Sequence, residues 1–104
     1  MNVNILAVTA CPAGVAHTYM AKKALEKAGK EKGYKIKVET QGSMGIENEL
    51  NEKEINKADV VIIAADTKIE KSNRFIDKKI YETSVSSAVK NAAKVIESSI
   101  KELA

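Results

Sequence analysis

Residues 3–18, VNILAVTACPAGVAHT, join an apolar run, a short turn with one proline and one glycine, and the start of a helical pattern. The apolar run from Val3 to Thr9 predicts a buried β-strand. From Val15 to Lys32, apolar residues recur at the spacing of a helix that buries one face. The single cysteine of the chain, Cys11, lies between these two elements. We therefore predict that a strand and a helix meet at Cys11.

Patterns further along the chain repeat the alternation of strand and helix. Gly33 predicts the end of the first helix, and apolar residues then alternate with charged ones from Tyr34 to Glu39, as in a second strand. Asn51 followed by Glu54 forms a capping-box pattern, which predicts that a short helix begins at Asn51. The other predicted elements are a loop at 41–45, a central strand at Val60–Ala65, a weaker strand near Arg74–Tyr81 and a helix over Ser84–Lys101.

These elements specify an α/β domain. Strands that alternate with helices predict a small three-layer, doubly wound, mainly parallel four-stranded sheet of the Rossmann-like or flavodoxin-like kind. With 104 residues, the chain matches one domain over residues 1–104. Such sheets bind ligands beyond the carboxyl ends of their strands. Cys11 lies at such an end.

Composition and charge narrow the class of protein. The longest apolar run, Val60–Ala65, is too short to span a membrane, and no basic segment followed by a long apolar one marks the N-terminus. A single cysteine cannot form an internal disulfide, which favours a reducing, cytoplasmic setting. The net charge of +3 comes from lysines spread along the chain without a basic-aromatic stripe. Nucleic-acid binding and a membrane span are therefore not expected.

Cys11 lies where a phosphate-handling nucleophile is expected. A helix N-terminus presents unpaired backbone N–H groups and a partial positive charge, and both favour an anion. Pro12 has no N–H, so the predicted phosphate-binding amides are those of Ala13, Gly14, Val15, Ala16, His17 and Thr18.

This loop has the length of the cysteine phosphatase signature C-x5-R-[ST], with His17 in the place of arginine. Arginine binds two phosphoryl oxygens at once, whereas histidine offers fewer donors, so the loop favours holding phosphate over hydrolysing it. His17 is a candidate donor to phosphoryl oxygen or promoter of the thiolate, and the alternative is an exposed histidine. Thr18 is a candidate donor to the sulfur, or else caps the helix.

Four further residues are candidates for accessory roles: Gln41, Gly42, Ser43 and Asp66. The first three follow the second predicted strand and should lie near Cys11, where they either shape a docking surface or form an ordinary turn. Asp66 ends the central strand and is either a general acid or a helix or turn cap.

Four separated blocks of the sequence resemble the cytoplasmic B component (IIB) of bacterial phosphotransferase-system sugar transporters, in the fructose-specific (type 2) family. In order, the blocks are Ala10–Thr18, Val38–Ser43, Ala58–Asp66 and Arg74–Phe75. Because they cover nearly the whole chain, the resemblance implies that residues 1–104 are a single IIB domain.

The resemblance also implies a function and partners. Cys11 would be a phosphocysteine intermediate that takes a phosphoryl group from a phosphohistidine of the A component (IIA). It would pass that group to fructose, or a related hexose, bound by the membrane-embedded C component (IIC). The domain would be a cytoplasmic phosphotransferase that reaches the inner face of the membrane through IIC. Neither a metal nor a cofactor is expected beyond the covalent intermediate.

Two other functions stay open at the level of sequence. The loop length also fits a free-standing cysteine-dependent phosphatase, and the fold class fits a noncatalytic, flavodoxin-like binding module. A thiol redox role is disfavoured because Cys11 has no second cysteine to resolve it.

Overall fold

The computed structural model describes residues 3–12, 15–43 and 45–103 of the chain. Strands and helices alternate along these residues. The elements are β1 Asn4–Ala10, α1 Val15–Glu31, β2 Lys35–Gly42, β3 Gly45–Glu47, α2 Glu52–Lys57, β4 Val60–Ala65, a 3-10 turn at Ser72–Phe75, β5 Ile80–Thr83, α3 Val85–Lys90 and α4 Ala92–Lys101.

The strands form one sheet in the order β3-β2-β1-β4-β5. β1 pairs in parallel with β2 on one side and with β4 on the other. The chain thus leaves β1 in one direction and later crosses back, which makes β1 the switch point where α/β sheets bind ligands. Ala10 pairs with both Gln41 and Ala65. Cys11, the next residue, therefore leaves the sheet at the level where β2 and β4 also end.

Helices cover both faces of the sheet. Side chains alternate along β1, so that Ile5 packs with the apolar stripes of α1, α3 and α4, while Leu6 packs with α2 and the 3-10 turn. Leu25 and Ile96 are fully buried in the first layer and Phe75 in the second. This arrangement confirms the predicted three-layer α/β class. Among the described helices, none has the length and apolar character needed to cross a membrane.

The predicted loop at 41–45 is wrong in part, and with it the count of four strands. Gln41 and Gly42 end β2, and Gly45 begins β3, which pairs antiparallel with β2 as a fifth strand at the sheet edge. Gly45 has a φ of +95°, which glycine adopts without steric cost. β3 is only three residues long with one apolar side chain, so no alternating pattern indicated it.

The predicted strand at Arg74–Tyr81 is also wrong in its bounds. Ser72–Phe75 is a 3-10 turn, and β5 begins at Ile80. Arg74 and Phe75 are neighbours in sequence, yet Phe75 is fully buried and Arg74 reaches inward to Glu39. An extended strand would send these two side chains to opposite faces, whereas the turn lets both point toward the same interior.

The helix predicted over Ser84–Lys101 is divided into α3 and α4. Asn91 interrupts it with φ −151° and ψ 64°, and its side chain accepts a hydrogen bond from the N–H of Lys94 to cap α4. Ser84 is the N-cap of α3 and not its first residue. The apolar stripe continues across the break, so periodicity alone did not reveal it.

The predicted capping box of the short helix is confirmed, with Asn51 as the N-cap and Glu52 as the first helical residue. Asn51 accepts a hydrogen bond from the N–H of Glu54, and the Glu54 carboxylate accepts one from the N–H of Asn51. Leu50 and Ile55 are both buried in the cluster beneath this helix. The local pattern was sufficient here because both partners of the capping box lie within three residues.

A buried ion pair connects β2 to the segment that follows β4. Glu39 is fully buried, and Arg74 donates to its two carboxylate oxygens at 2.7 and 2.6 Å. Glu39 also accepts from the N–H of Leu50 at 2.9 Å and from the side chain of Gln41 at 2.8 Å. Burial alone would raise the pKa of Glu39, but these hydrogen bonds outweigh it and hold the pKa below its ordinary value of 4.5.

Gln41 extends this network to the backbone opposite β2. Its amide oxygen accepts from the N–H of Glu70 at 2.7 Å, and its amide nitrogen donates to the carbonyl of Glu70 at 3.1 Å. Arg74 Nε donates to the carbonyl of Lys71 at 2.8 Å. The chain between β4 and the 3-10 turn is therefore fixed to β2 by side chains, without a strand pairing.

We predict that Glu39→Gln lowers the free energy of unfolding by about 3–5 kcal/mol near neutral pH, since Arg74, whose side chain is only 15% exposed, is left charged without its counter-ion. Because the pKa of Glu39 is lower in the folded chain, its carboxylate stabilises the fold above its unfolded pKa. This contribution is lost as the pH falls through the lower folded pKa. Urea denaturation at a series of acidic pH values should therefore show that the difference in unfolding free energy between wild type and Glu39→Gln becomes smaller as the pH falls.

Glu31→Gln is the matched control, because Glu31 is exposed and pairs with no other described residue. It should leave the unfolding free energy nearly unchanged. A loss below about 1 kcal/mol for Glu39→Gln, or a difference from wild type that does not vary with pH, would contradict this account of the ion pair.

We also predict that Asn51→Ala destabilises the domain by about 1 kcal/mol, because the N–H of Glu54 loses its acceptor. Asn56→Ala, in the exposed part of the same helix, is the control and should be neutral or slightly stabilising. Denaturant unfolding of the two variants measures both effects, and equal stabilities would show that the cap contributes nothing.

Candidate functional site

Cys11 lies at the edge of the sheet where three parallel strands end. Cys11 is buried, with 8% of its surface exposed, and it lines an open cavity of about 370 Å³. The residues that line this cavity follow or end β1, β2 and β4: Ala10, Cys11, Pro12, Gln41, Gly42, Ser43, Thr67, Lys68 and Glu70. The cavity thus opens at the position where doubly wound sheets bind ligands.

Two side chains contact the thiol of Cys11. Nδ1 of His17 lies 3.5 Å from Sγ, and the thiol donates to Oδ2 of Asp66 at 3.8 Å. One nitrogen, one sulfur and one oxygen atom of these residues all lie within 4.8 Å of one another. The structure therefore brings together three of the residues that the sequence singled out.

Asp66 is oriented by contacts on both of its sides. Its N–H donates to the carbonyl of Ala10 at 3.0 Å, which continues the pairing of β1 with β4 by one residue. Its Oδ1 accepts from the N–H of Val85 at 3.1 Å, at the first residue of α3. Asp66 thus satisfies a helix N-terminus, as in the capping alternative, while Oδ2 faces the thiol. Its action as a general acid stays a prediction.

The N-terminus of α1 is adjacent to Cys11 in the chain. The helix begins at Val15, and its first turn holds no acidic side chain. The first backbone N–H groups of a helix have no partner within it, so those of Val15, Ala16 and His17 are oriented toward the end of the helix that adjoins Cys11. Of the six predicted phosphate-binding residues, Ala13 and Gly14 lie outside the described residues.

Thr18 is buried, and its carbonyl accepts a hydrogen bond from the hydroxyl of Thr9 at 3.3 Å. This bond holds the first turn of α1 against β1. His17, one residue earlier, is half-buried. Thr18 therefore anchors α1 to β1 directly beside His17, the residue that contacts the thiol.

Gln41, Gly42 and Ser43 line the same cavity as Cys11, as predicted, but they differ in their burial. Gln41 is buried and engaged by Glu39 and Glu70, so its side chain shapes the cavity wall as part of the fold. Gly42 and Ser43 are exposed and line the same cavity.

A side-chain hydrogen bond connects the hairpin of β2 and β3 to α1. The hydroxyl of Tyr19 in α1 donates to the carboxylate of Glu47 in β3. This hydrogen bond raises the pKa of Tyr19 above its ordinary value, because the bond requires the neutral phenol.

Sequence reasoning missed the opposite wall of the cavity. Thr67, Lys68 and Glu70 come from the polar connection after β4, and Lys68 adds an exposed ammonium group there. The only local signal was that these residues directly follow the central strand. Sequence reasoning also missed the pair of Glu39 and Arg74 that fixes this wall, because the two residues are 35 positions apart.

Comparisons with known proteins place this geometry in a family. Residues 6–98 match the family described as "PTS system, Lactose/Cellobiose specific IIB subunit". The chain is 56% identical over 88 residues to the fructose-like EIIB component 2 of the PTS system from Escherichia coli K12, a match that covers 85% of this chain and 83% of that protein. It is also 50% identical over 100 residues to the PTS system fructose-specific EIIB'BC component of Rhodobacter capsulatus.

The second relative is much longer, since the match covers 96% of this chain but only 17% of that protein. Among solved structures, a domain of the fructose-specific IIABC component from Borrelia burgdorferi superposes with a TM-score of 0.91. It is 50% identical, with coverage of 97% of this chain and 96% of that domain. The chain therefore belongs to the IIB family of sugar phosphotransferase-system components and is related to its fructose-type members.

Proposed function

We propose that this chain is the phosphoryl carrier between a IIA donor and a sugar bound by IIC, with Cys11 as the residue that carries the group. The observation that carries the proposal is the position of the Cys11 thiol in a IIB domain. Cys11 lines the cavity and lies beside a helix N-terminus, and its thiol contacts His17 and Asp66. Such an environment suits a nucleophile that receives and releases an anion.

In the first step, Sγ of Cys11 attacks the phosphorus of a phosphohistidine on IIA. The S–P bond forms as the N–P bond breaks, and the donor histidine leaves as imidazole. The thiol proton is lost before or during the attack, and Nδ1 of His17, at 3.5 Å, is positioned to accept it. Backbone N–H groups of the first turn of α1 are oriented to stabilise the charge on the phosphoryl oxygens.

In the second step, a sugar hydroxyl on IIC attacks the same phosphorus. The O–P bond forms and the S–P bond breaks, so that Cys11 leaves as a thiolate. The hydroxyl proton is released to solvent, and the thiolate takes up one proton to return to the thiol. The carboxylate of Asp66 lies 3.8 Å from the sulfur, and its repulsion falls when the doubly charged phosphocysteine is replaced by a singly charged thiolate.

The names of the relatives support fructose, or a related hexose, as the sugar. The E. coli relative is named fructose-like and the R. capsulatus relative fructose-specific, and the latter name also includes the BC components. We accordingly propose a cytoplasmic domain that meets the inner face of the membrane through IIC and receives its phosphoryl group from IIA. No metal or cofactor takes part in the proposed transfer.

The charges of the fold argue against the phosphatase alternative. Arg74 is the only arginine in the sequence, and it is held by both carboxylate oxygens of Glu39. No guanidinium group is therefore free to grip the phosphoryl group from two sides, as the phosphatase signature requires. This difference favours a phosphocysteine that persists until an acceptor arrives.

We predict that the wild-type chain gains one phosphoryl group when incubated with phosphoenolpyruvate, the general phosphotransferase proteins and a fructose-type IIA. Cys11→Ser should gain none, because the serine hydroxyl is a far weaker nucleophile than a thiolate. Intact-mass analysis measures the adduct, and circular dichroism confirms that the variant is folded. An adduct on Cys11→Ser, or none on wild type beside a phosphorylated IIA, would refute the assignment.

We predict that His17→Ala slows phosphorylation of Cys11 by about 10²-fold or more, as expected when a proton acceptor is removed. Lys30→Ala is the control, since Lys30 is exposed near the other end of the same helix. Quenched-flow phosphorylation at saturating phospho-IIA gives both rates. An unchanged rate for His17→Ala would show that its contact with the thiol has no part in the transfer.

A further inference from the structure

The cluster of Cys11, His17 and Asp66 also has the composition of a metal site. We propose that it binds Zn²⁺, or a similar thiophilic divalent cation, and that the bound ion prevents Cys11 from accepting a phosphoryl group. The binding rests on the cluster geometry alone, whereas its inhibitory consequence rests on the proposed function. The spacing of these residues did not predict a metal, because Asp66 is 55 positions from Cys11.

The distances between the donor atoms suit a tetrahedral ion. Zn–S bonds are about 2.3 Å and Zn–N and Zn–O bonds about 2.0–2.2 Å, so tetrahedral angles set the sulfur about 3.5–3.7 Å from either of the other two donors. The sulfur of Cys11 lies 3.5 Å from Nδ1 of His17 and 3.8 Å from Oδ2 of Asp66. All three donor atoms lie within 4.8 Å of one another. The imidazole and carboxylate donors would be about 3.3–3.6 Å apart in a tetrahedral site, so side-chain rotations that bring these two together would place an ion among all three.

The three ligands are held by separate parts of the fold. Cys11 follows β1, His17 lies in the first turn of a 17-residue helix, and Asp66 follows β4. The second oxygen of Asp66 accepts from the N–H of Val85, so the oxygen that faces the thiol is already oriented. Outer hydrogen bonds of this kind strengthen metal binding by fixing the ligand.

The donor set selects the class of metal. Thiolate and imidazole ligands favour Zn²⁺ and related ions over Mg²⁺ and Ca²⁺, which prefer oxygen ligands throughout. Three protein ligands leave a fourth position for water, as in open zinc sites. Asp66 is exposed and His17 half-buried, so an ion can reach the cluster from solvent.

Binding replaces the S–H bond of Cys11 with an S–Zn bond, and the thiol proton is released to solvent. The sulfur lone pair that attacks phosphorus is then held by the metal. His17, the proposed proton acceptor, is occupied as well. Phosphoryl acceptance would resume only after the ion is removed, so the site acts as a reversible block.

The test is a Co²⁺ titration of the metal-free, untagged chain, followed by competition with Zn²⁺. Wild type should show a near-ultraviolet thiolate-to-Co²⁺ charge-transfer band and the visible bands of tetrahedral Co²⁺. Cys11→Ser should lose the charge-transfer band. His17→Ala and Asp66→Asn should each weaken binding at least about tenfold. Asp77→Asn removes an exposed carboxylate elsewhere and should bind as wild type does.

The absence of a charge-transfer band in wild type would overturn the site. Binding that is unaffected by both His17→Ala and Asp66→Asn would also overturn it, because the ion would then be held by the thiol alone. Both readouts are independent of phosphorylation, so the site can stand even if the proposed carrier function fails.

The inhibitory effect has its own measurement. Zn²⁺ at a concentration that saturates the site should abolish the phosphoryl adduct on wild type, and a chelator should restore it, while phosphorylation of IIA is monitored in the same mixture. Full adduct formation with the site saturated would overturn the block. If the metal-free chain gains no adduct, the proposed carrier function is wrong and so is the inhibitory effect. The Co²⁺ titration would still show whether the metal site exists.

Discussion

The register of β1 between its two parallel neighbours is the constraint on which the site depends. Ala10 pairs with Gln41 on one side and with Ala65 on the other, so three strands end at one level. Cys11 and Asp66, which are far apart in sequence, meet there because each directly follows one of these paired residues. A shift of one residue in either pairing would turn the side chains of that strand to the opposite face and separate the thiol from its partners.

The ion pair of Glu39 with Arg74 fixes a wall of the cavity that no strand pairing holds in place. The segment between β4 and the 3-10 turn has no strand of its own, yet it forms one wall of the cavity. Arg74 and Gln41 hold this segment to β2 through hydrogen bonds to Glu39 and to backbone groups of residues 70–71. The same contacts occupy the one arginine of the chain. A structural requirement thereby removes the guanidinium group that phosphate hydrolysis would use.

Local signals account for what the sequence predicted well. Val60–Ala65 was predicted with its observed bounds because an unbroken run of β-branched and small apolar residues identifies a covered parallel strand. The start of α2 was predicted because both halves of its capping box lie within one turn. The strand before Cys11 and the helix after it were likewise predicted from the local spacing of apolar residues.

The features that sequence reasoning missed depend on contacts between distant residues. Glu39 belongs to an alternating pattern that indicates a solvent-exposed face, yet it is fully buried because Arg74 neutralises it from 35 positions away. β3 exists only as the partner of β2, and its own sequence shows no strand pattern. Asp66 was recognised as a candidate from its place at a strand end. Its distance from the thiol became known only from the register of the sheet.

The most direct test of the central claim is the ³¹P NMR spectrum of the chain after phosphorylation by its IIA donor. His17 is the only histidine and contacts the Cys11 sulfur, so it is the obvious competing acceptor. Phosphorus bonded to sulfur and phosphorus bonded to an imidazole nitrogen resonate at well-separated shifts. Our account predicts a single resonance in the S-phosphorylated range. A resonance in the phosphohistidine range would contradict it and would make His17, not Cys11, the residue that carries the phosphoryl group.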